Sequence, residues 1–216
     1  MARGMEDPEP TRSRPLAVPA TTTIARHAEV HRLAVAGREP EIARSIGTRV
    51  CQAWLSISRF AAVEAMATAT LTLGPDVDAF YDRGWARAAT GRPWLALEDY
   101  QQALALHQQA GNRAGEAATL NNIGHTYHGL GDRQKALDHY REALPIQREV
   151  GNSAGEIHTR YNIAMIHHAG GDLDQAVQQF EHIVELERQV DHPNLEDDTA
   201  ILEHFRREHA ETREPT

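Results

Sequence analysis

Small and apolar residues recur at three- and four-residue spacing along most of this chain, and the pattern predicts helices almost throughout. Ile24, His27, Ala28, His31, Leu33 and Val35 mark a first helix over 21–36, closed by Gly37 with Pro40 just beyond. Residues 42–55 and 59–73 read as a helix pair that ends at Gly74-Pro75. Three clearer helix-turn-helix units follow: 76–90 with 93–110, 115–129 with 133–148, and 155–169 with 173–190. Leu195, Ile201, Leu202 and Phe205, set among acids, Arg and His, predict a last amphipathic helix over 195–209 whose role is to cap the open end of the stack. The run Glu196-Asp197-Asp198 suits the positive end of that helix's dipole.

The turns carry their own chemistry. Asp132 and Asp172 can accept orphan amide protons as N-caps, with Gln175 completing a capping box. Pro93 fits a first helical turn, and Gly131 and Gly171 can take the left-handed conformation that ends a helix. Residues 1–20 hold Pro8, Pro10, Pro15 and Pro19 among polar residues with little to bury, so a disordered tail is expected there.

The units are copies of one another. Shifted by forty positions, residues 111–150 match 151–190 at fourteen places, including GNRAGE against GNSAGE, Asn122/Asn162, His128/His168 and Gly131-Asp132/Gly171-Asp172. Gly84, Gly91, Ala96, Tyr100 and Ala103 repeat the skeleton of Gly124, Gly131, Ala136, Tyr140 and Ala143 one step upstream. A fixed period of this length implies a solenoid, in which each unit packs on its neighbours. Gly124 or Ala164 is expected to face Ala136 or Ala176, while Tyr127, Tyr140 and Phe180 fill the space toward the next unit.

The segment LNNIGHTYHGLGDRQKALDHYREAL, with Gly124, Tyr127, Gly131-Asp132, Ala136, Tyr140 and Ala143 in place, resembles the tetratricopeptide repeat. The forty-residue spacing is similar to that of the longer subclass found in kinesin light chains and in the C-terminal arms of bacterial signalling NTPases. The resemblance spans 76–190, and more faintly 41–75. It implies an all-α, right-handed α-solenoid of antiparallel helix pairs with a C-terminal capping helix. The expected organisation is a tail (1–20), a helical region with a degenerate pair (21–75), three repeats (76–190) and a cap with its tail (191–216). Arg83 and Arg87 depart from the pattern by replacing a large apolar residue and an aromatic, His167 replaces an aromatic, and Ile183 replaces a small alanine.

In such arrays the first helix of each pair lines the concave side. Helical spacing then selects Asp78, Tyr81, Asp82 and Trp85 from the first of the three repeats, and Asn121, Asn122, His125 and His128 from the next. The last contributes His158, Tyr161, Asn162, Met165 and His168. Asn122 and Asn162 resemble the family's clamp on peptide backbone, since an amide both donates and accepts. Tyr81, Trp85, Tyr161 and Met165 would supply flat or adaptable anchors. The family's clamp for terminal carboxylates needs Lys and Arg where this chain has Asn and His, so an acidic-tail ligand is not expected.

Composition narrows the function further. The 216 residues carry a net charge of −9, with +3 over residues 1–60 and −12 over the rest, so a nucleic-acid partner is not expected. No stretch approaches the length of a membrane span, and no signal peptide is read at the N-terminus, so a cytoplasmic protein without a membrane partner is expected. Cys51, the single cysteine, sits on an apolar stretch and reads as a structural thiol. His125, His128 and His168 could approach one another, but no Asp, Glu or Cys completes a ligand set, and no metal or cofactor is expected. No phosphate loop, dinucleotide fingerprint, zinc-protease or serine-hydrolase motif occurs, so the chain reads as no enzyme. The expected function is a protein interaction module that holds a peptide or helix of a partner protein in its groove. A stand-alone sensor arm of a signalling or transcription-regulatory system and a self-associating scaffold, such as a homodimer, are the alternatives.

Overall fold

Glycines at twenty-residue steps divide the second half of the chain into helices of similar length. Gly111, Gly131, Gly151 and Gly171 all hold positive φ, between 64° and 80°, a region that costs a residue with a Cβ. Asn112 and Asn152 follow two of them, and their side chains accept from the Gly115 and Gly155 amides at 3.0 and 2.9 Å. These caps start the helices at Arg113 and Ser153, two residues before the positions that hydrophobic spacing alone suggests. Asp132 accepts from the Lys135 amide at 3.2 Å and Asp172 from the Gln175 amide at 3.3 Å.

The computed structural model describes residues 20–190 and 192–213. Its helices are α1 (Ala20–Ala36), α2 (Pro40–Leu55), α3 (Phe60–Leu71), α4 (Val77–Ala89), α5 (Pro93–Ala110), α6 (Arg113–Gly129), α7 (Arg133–Glu149), α8 (Ser153–Ala169), α9 (Leu173–Val190) and α10 (Leu195–Arg213). The tail expected over 1–20 lies outside the described residues except for Ala20, which is already helical, and residues 214–216 lie outside them as well.

Each helix packs on the next, and α2 touches α4, α4 touches α6 and α6 touches α8. No comparable contact joins α3, α5, α7 and α9 to one another among the described residues. The chain is therefore an all-α solenoid whose first helices crowd together along the inside of the curve, with the second helices fanned out behind. α10 continues the inner series, packing on α9 and closing the stack.

Tyr100, Tyr140 and Phe180 fall forty residues apart on the second helices, and all three are almost completely buried. Each is part of the core between its own unit and the next, Tyr140 against Ile163 and Ile166, and Phe180 against Leu202 and Phe205 of the cap. The first helices leave room for these rings: a Cβ at Gly124 would stand 2.7 Å from Tyr140 Cε1 and 3.2 Å from the Ala136 carbonyl. The small residues at 84 and 124 are thus a steric requirement of the helix pair. Ile183, which replaces the usual small residue, is fully buried in the core that α10 completes.

The two departures at Arg83 and Arg87 have a partner. Arg83 forks onto the buried Asp99 carboxylate from α4, with Nη2 2.7 Å from Oδ1, and Arg87 Nη1 reaches Asp99 Oδ2 at 2.9 Å. Arg87 also bonds Glu64 of α3 at 3.0 Å, and Arg92 bonds the same carboxylate at 2.6 Å. An ionic cluster thereby ties α3, α4 and α5 together where an apolar pair would otherwise sit.

Candidate binding groove

Two cavities open along the inner face, and they share Trp85 as a common wall. The first, about 590 Å3, lies among α2, α4 and the α5–α6 turn, walled by Gln52, Tyr81, Asp82, Trp85 and His107. The second, about 560 Å3, runs from α4 across α6 to α8 and is walled by Trp85, Asn121, Asn122, His125 and His158. Trp85 keeps 47% of its surface exposed, an uncommon cost for an indole unless something covers it.

Eight of the residues selected by helical spacing come together here: Asp78, Tyr81, Asp82, Trp85, Asn121, Asn122, His125 and His158. His128, Tyr161, Asn162, Met165 and His168 line neither cavity. The reason for the last two is α10. His168 stacks on Phe205 with ring centroids 4.2 Å apart and its Nε2 lies 2.9 Å from Glu208, while Met165 packs against the core that the cap shares with α9. Tyr161 stands edge-on to Phe180 at 5.7 Å and remains exposed, and His128 is half-buried. Asn162 is half-buried, and its amide nitrogen has no hydrogen-bond partner.

The two adjacent asparagines of α6 point to opposite neighbours. Asn122 Nδ2 donates to the Tyr81 hydroxyl at 2.7 Å, back toward α4. Asn121 Oδ1 accepts from Thr159 Oγ1 at 3.0 Å, forward toward α8, and Thr159 is itself held by Gln147 at 2.9 Å. These bonds join residues 41 and 38 positions apart and fix the spacing of the inner helices. Asn122 therefore keeps its carbonyl oxygen and one of its two N–H groups for other contacts.

The charges in the first cavity are acidic. Asp82 is 94% buried, with no hydrogen bond or ion pair to its carboxylate among the described residues, and burial followed by repulsion from Asp78 and Asp76 pushes its pKa up to about 7. Asp78, exposed at the mouth, accepts from Thr48 Oγ1 at 3.1 Å. Burial lowers the pKa of His107. That ring fits only because residue 115 has no side chain, since a Cβ there would stand 2.2 Å from His107 Cε1. The contributions of Thr48, Gln52 and His107 were not drawn from helical spacing, because the α2 unit is too degenerate to align and His107 belongs to a second helix.

Cys51 is buried beside this region, and burial, then the Asp82 charge, pushes its thiol up to about 12, well away from nucleophilic use. Among the described residues no group of three or more His, Cys, Asp and Glu stands close enough to hold a metal ion. Among them, too, no helix is long and apolar enough to cross a membrane.

The tetratricopeptide repeat family model matches residues 77–149 and again 115–189, together more than half of the chain. The chain belongs to the tetratricopeptide repeat family. Its solved structural neighbours agree. MamA is 20% identical, with a TM-score of 0.63 over 78% of this chain and 88% of MamA. BtubC from P. vanneervenii is 16% identical, with a TM-score of 0.61 over 92% of this chain and 95% of its own. A signal transduction ATPase with a tetratricopeptide repeat sensor, from Pyrococcus horikoshii, is 15% identical with a TM-score of 0.64, over 81% of this chain and 28% of the ATPase. At these identities the likeness is one of fold. No curated protein sequence matches the chain. Membership of this family suggests a protein interaction scaffold or adaptor.

Proposed function

We propose that this chain is a non-enzymatic interaction module whose concave groove holds a peptide or helix of a partner protein. The observation that carries this reading is Trp85, a half-exposed indole standing between two adjoining cavities on the inner face. An exposed aromatic at the centre of a concave, mixed polar surface has the composition of a binding hot spot. The asparagine bonds to Tyr81 and Thr159 hold the inner helices in place before any ligand arrives, so little order has to be gained on docking. Trp85→Ala should weaken binding of a captured partner by about 2 kcal/mol or more while leaving the melting temperature nearly unchanged. Undiminished binding in that variant would sink the reading.

Self-association is favoured by a different feature, the outer face of α1, where Val30 and Leu33 are 42% and 55% exposed at the end of the stack. Light scattering across a wide concentration range tests it. A mass that stays monomeric removes this reading.

A further inference from the structure

We propose that the cavity among α2, α4 and the α5–α6 turn is a recognition pocket for a cationic side chain, an arginine or lysine, of the partner protein, received between Asp82 at its base and the Trp85 ring at its rim. The proposal rests on the reading of the groove as the partner-binding face and adds to it the chemistry of what enters.

The first argument is an unpaired acid. Asp82 is 94% buried, lines the cavity wall, and among the described residues has neither a hydrogen-bond donor nor a cation on its carboxylate. A carboxylate in that position is costly unless a partner supplies both charge and protons to bond. Two other buried acids are matched by arginines from within: Asp99 by Arg83 and Arg87, Glu156 by Arg148 and Arg160. Among the described residues nothing of the kind reaches Asp82. No Lys or Arg lines the cavity, and the one basic side chain in its wall, His107, is held toward its neutral form by burial.

The second argument is the rest of the wall. Asp78 adds a further negative charge at the mouth, and burial first, then repulsion from Asp78 and Asp76, raises the pKa of Asp82. Tyr81 and Trp85 provide aromatic surface in the same cavity, where a cation over a ring face gains from the ring's quadrupole, most strongly with Trp. The small Ala118 leaves room on the opposite side, where the His107 ring lies over the Cβ-less Gly115. A guanidinium fits this set better than an ammonium, because its planar fork can bond a carboxylate and stack on an indole at once. A partner bearing an anion or a bare apolar side chain would leave Asp82 buried and unmatched.

The test is selection of a random linear dodecapeptide display library on the full chain, followed by affinity measurements on the recovered peptides by fluorescence anisotropy. The expected peptides share an Arg or Lys. Replacing Arg by its neutral isostere citrulline, or Lys by norleucine, should weaken binding roughly tenfold or more, and Asp82→Asn should cost the same peptide a similar factor. The citrulline arm leaves the protein untouched and stays decisive even if Asp82→Asn folds poorly. Peptides that lose affinity with Trp85→Ala yet are indifferent to citrulline or norleucine and to Asp82→Asn would overturn the cationic pocket while the groove reading stands. Recovery of no binding peptide, or of peptides indifferent to Trp85→Ala, would overturn both.

Discussion

Asp99→Ala should be among the most damaging single changes in this chain. The carboxylate is 3% exposed and receives Arg83 through Nη2 at 2.7 Å and Nε at 3.0 Å, together with Arg87 Nη1 at 2.9 Å. Removing one member of a buried pair leaves the other charge uncompensated, at about 3–5 kcal/mol. Two features pull this case toward the lower end. Arg87 retains its 3.0 Å bond to Glu64, and the Arg83 and Arg87 side chains keep 15% and 16% of their surface in water. A loss of about 3 kcal/mol corresponds to a fall in melting temperature of about 6–12 °C for a chain of this size. Urea unfolding followed by far-ultraviolet circular dichroism measures it, and Arg83→Ala and the double variant complete a cycle. Because the two residues share their bonds, the double variant should be less damaging than the sum of the singles. A loss below about 1 kcal/mol, or strict additivity in the cycle, would refute the assignment of Asp99 as the charge that holds α3, α4 and α5 together.

Three further predictions concern packing and pH. Gly124→Val should destabilise by about 1–3 kcal/mol, because even the first carbon would stand 2.7 Å from the fully buried Tyr140 ring and neither it nor the Ala136 carbonyl has room to yield; a variant as stable as the parent would show that the helix pair is loosely packed. Tyr140→Phe should leave stability unchanged or raise it by about 1 kcal/mol, since the Tyr140 hydroxyl is buried without a partner and Phe180 already serves at the equivalent position, whereas a clear loss in chemical denaturation would mean the hydroxyl is bonded. Glu187, fully buried at the joint with α10, is pushed up from 4.5 to about 7 by burial and by the Asp198 carboxylate beside it. An acid whose folded pKa is raised favours the fold below its unfolded value and loses that contribution as pH rises through the folded one. Stability should therefore fall as pH rises from about 4.5 to about 8, with His192 Nδ1, 2.9 Å from Glu187 Oε1, the nearby basic group. Glu187→Gln should flatten that part of the pH profile, and an unchanged slope in denaturation measured across the same range would count against it.

The repeat period explains how much of the architecture was readable. The forty-residue register, fixed by fourteen identities between 111–150 and 151–190, aligns the turns, the small residues and the aromatic of each unit, and these reappear as glycine turns, close helix contacts and the core at Tyr100, Tyr140 and Phe180. Helix starts at 113 and 153 were missed because Asn112 and Asn152 cap through side-chain bonds that hydrophobic spacing does not register. The groove was legible only where a repeat faces open solvent. His168 occupies the same repeat position as His128, yet α10 stacks Phe205 on it, and a terminal cap is the one neighbour that periodicity cannot describe. The pairing of Asn122 with Tyr81 and of Asn121 with Thr159 also escapes the sequence, because each depends on the distance between successive inner helices rather than on either helix alone. The Asp99 cluster shows the same limit from the other side: Arg83 and Arg87 stand out as exceptions, but the acid that accounts for them lies on the following helix.

The central claim is that partner proteins bind on the inner face. The most direct measurement places the photocrosslinking amino acid p-benzoylphenylalanine singly at Trp85 or His125 in the groove, and at Asp138 or Arg141 on the exposed face of α7. Adducts with the partner from the Trp85 and His125 positions, and none from Asp138 and Arg141, are the predicted result. Adducts confined to Asp138 and Arg141 would contradict the account.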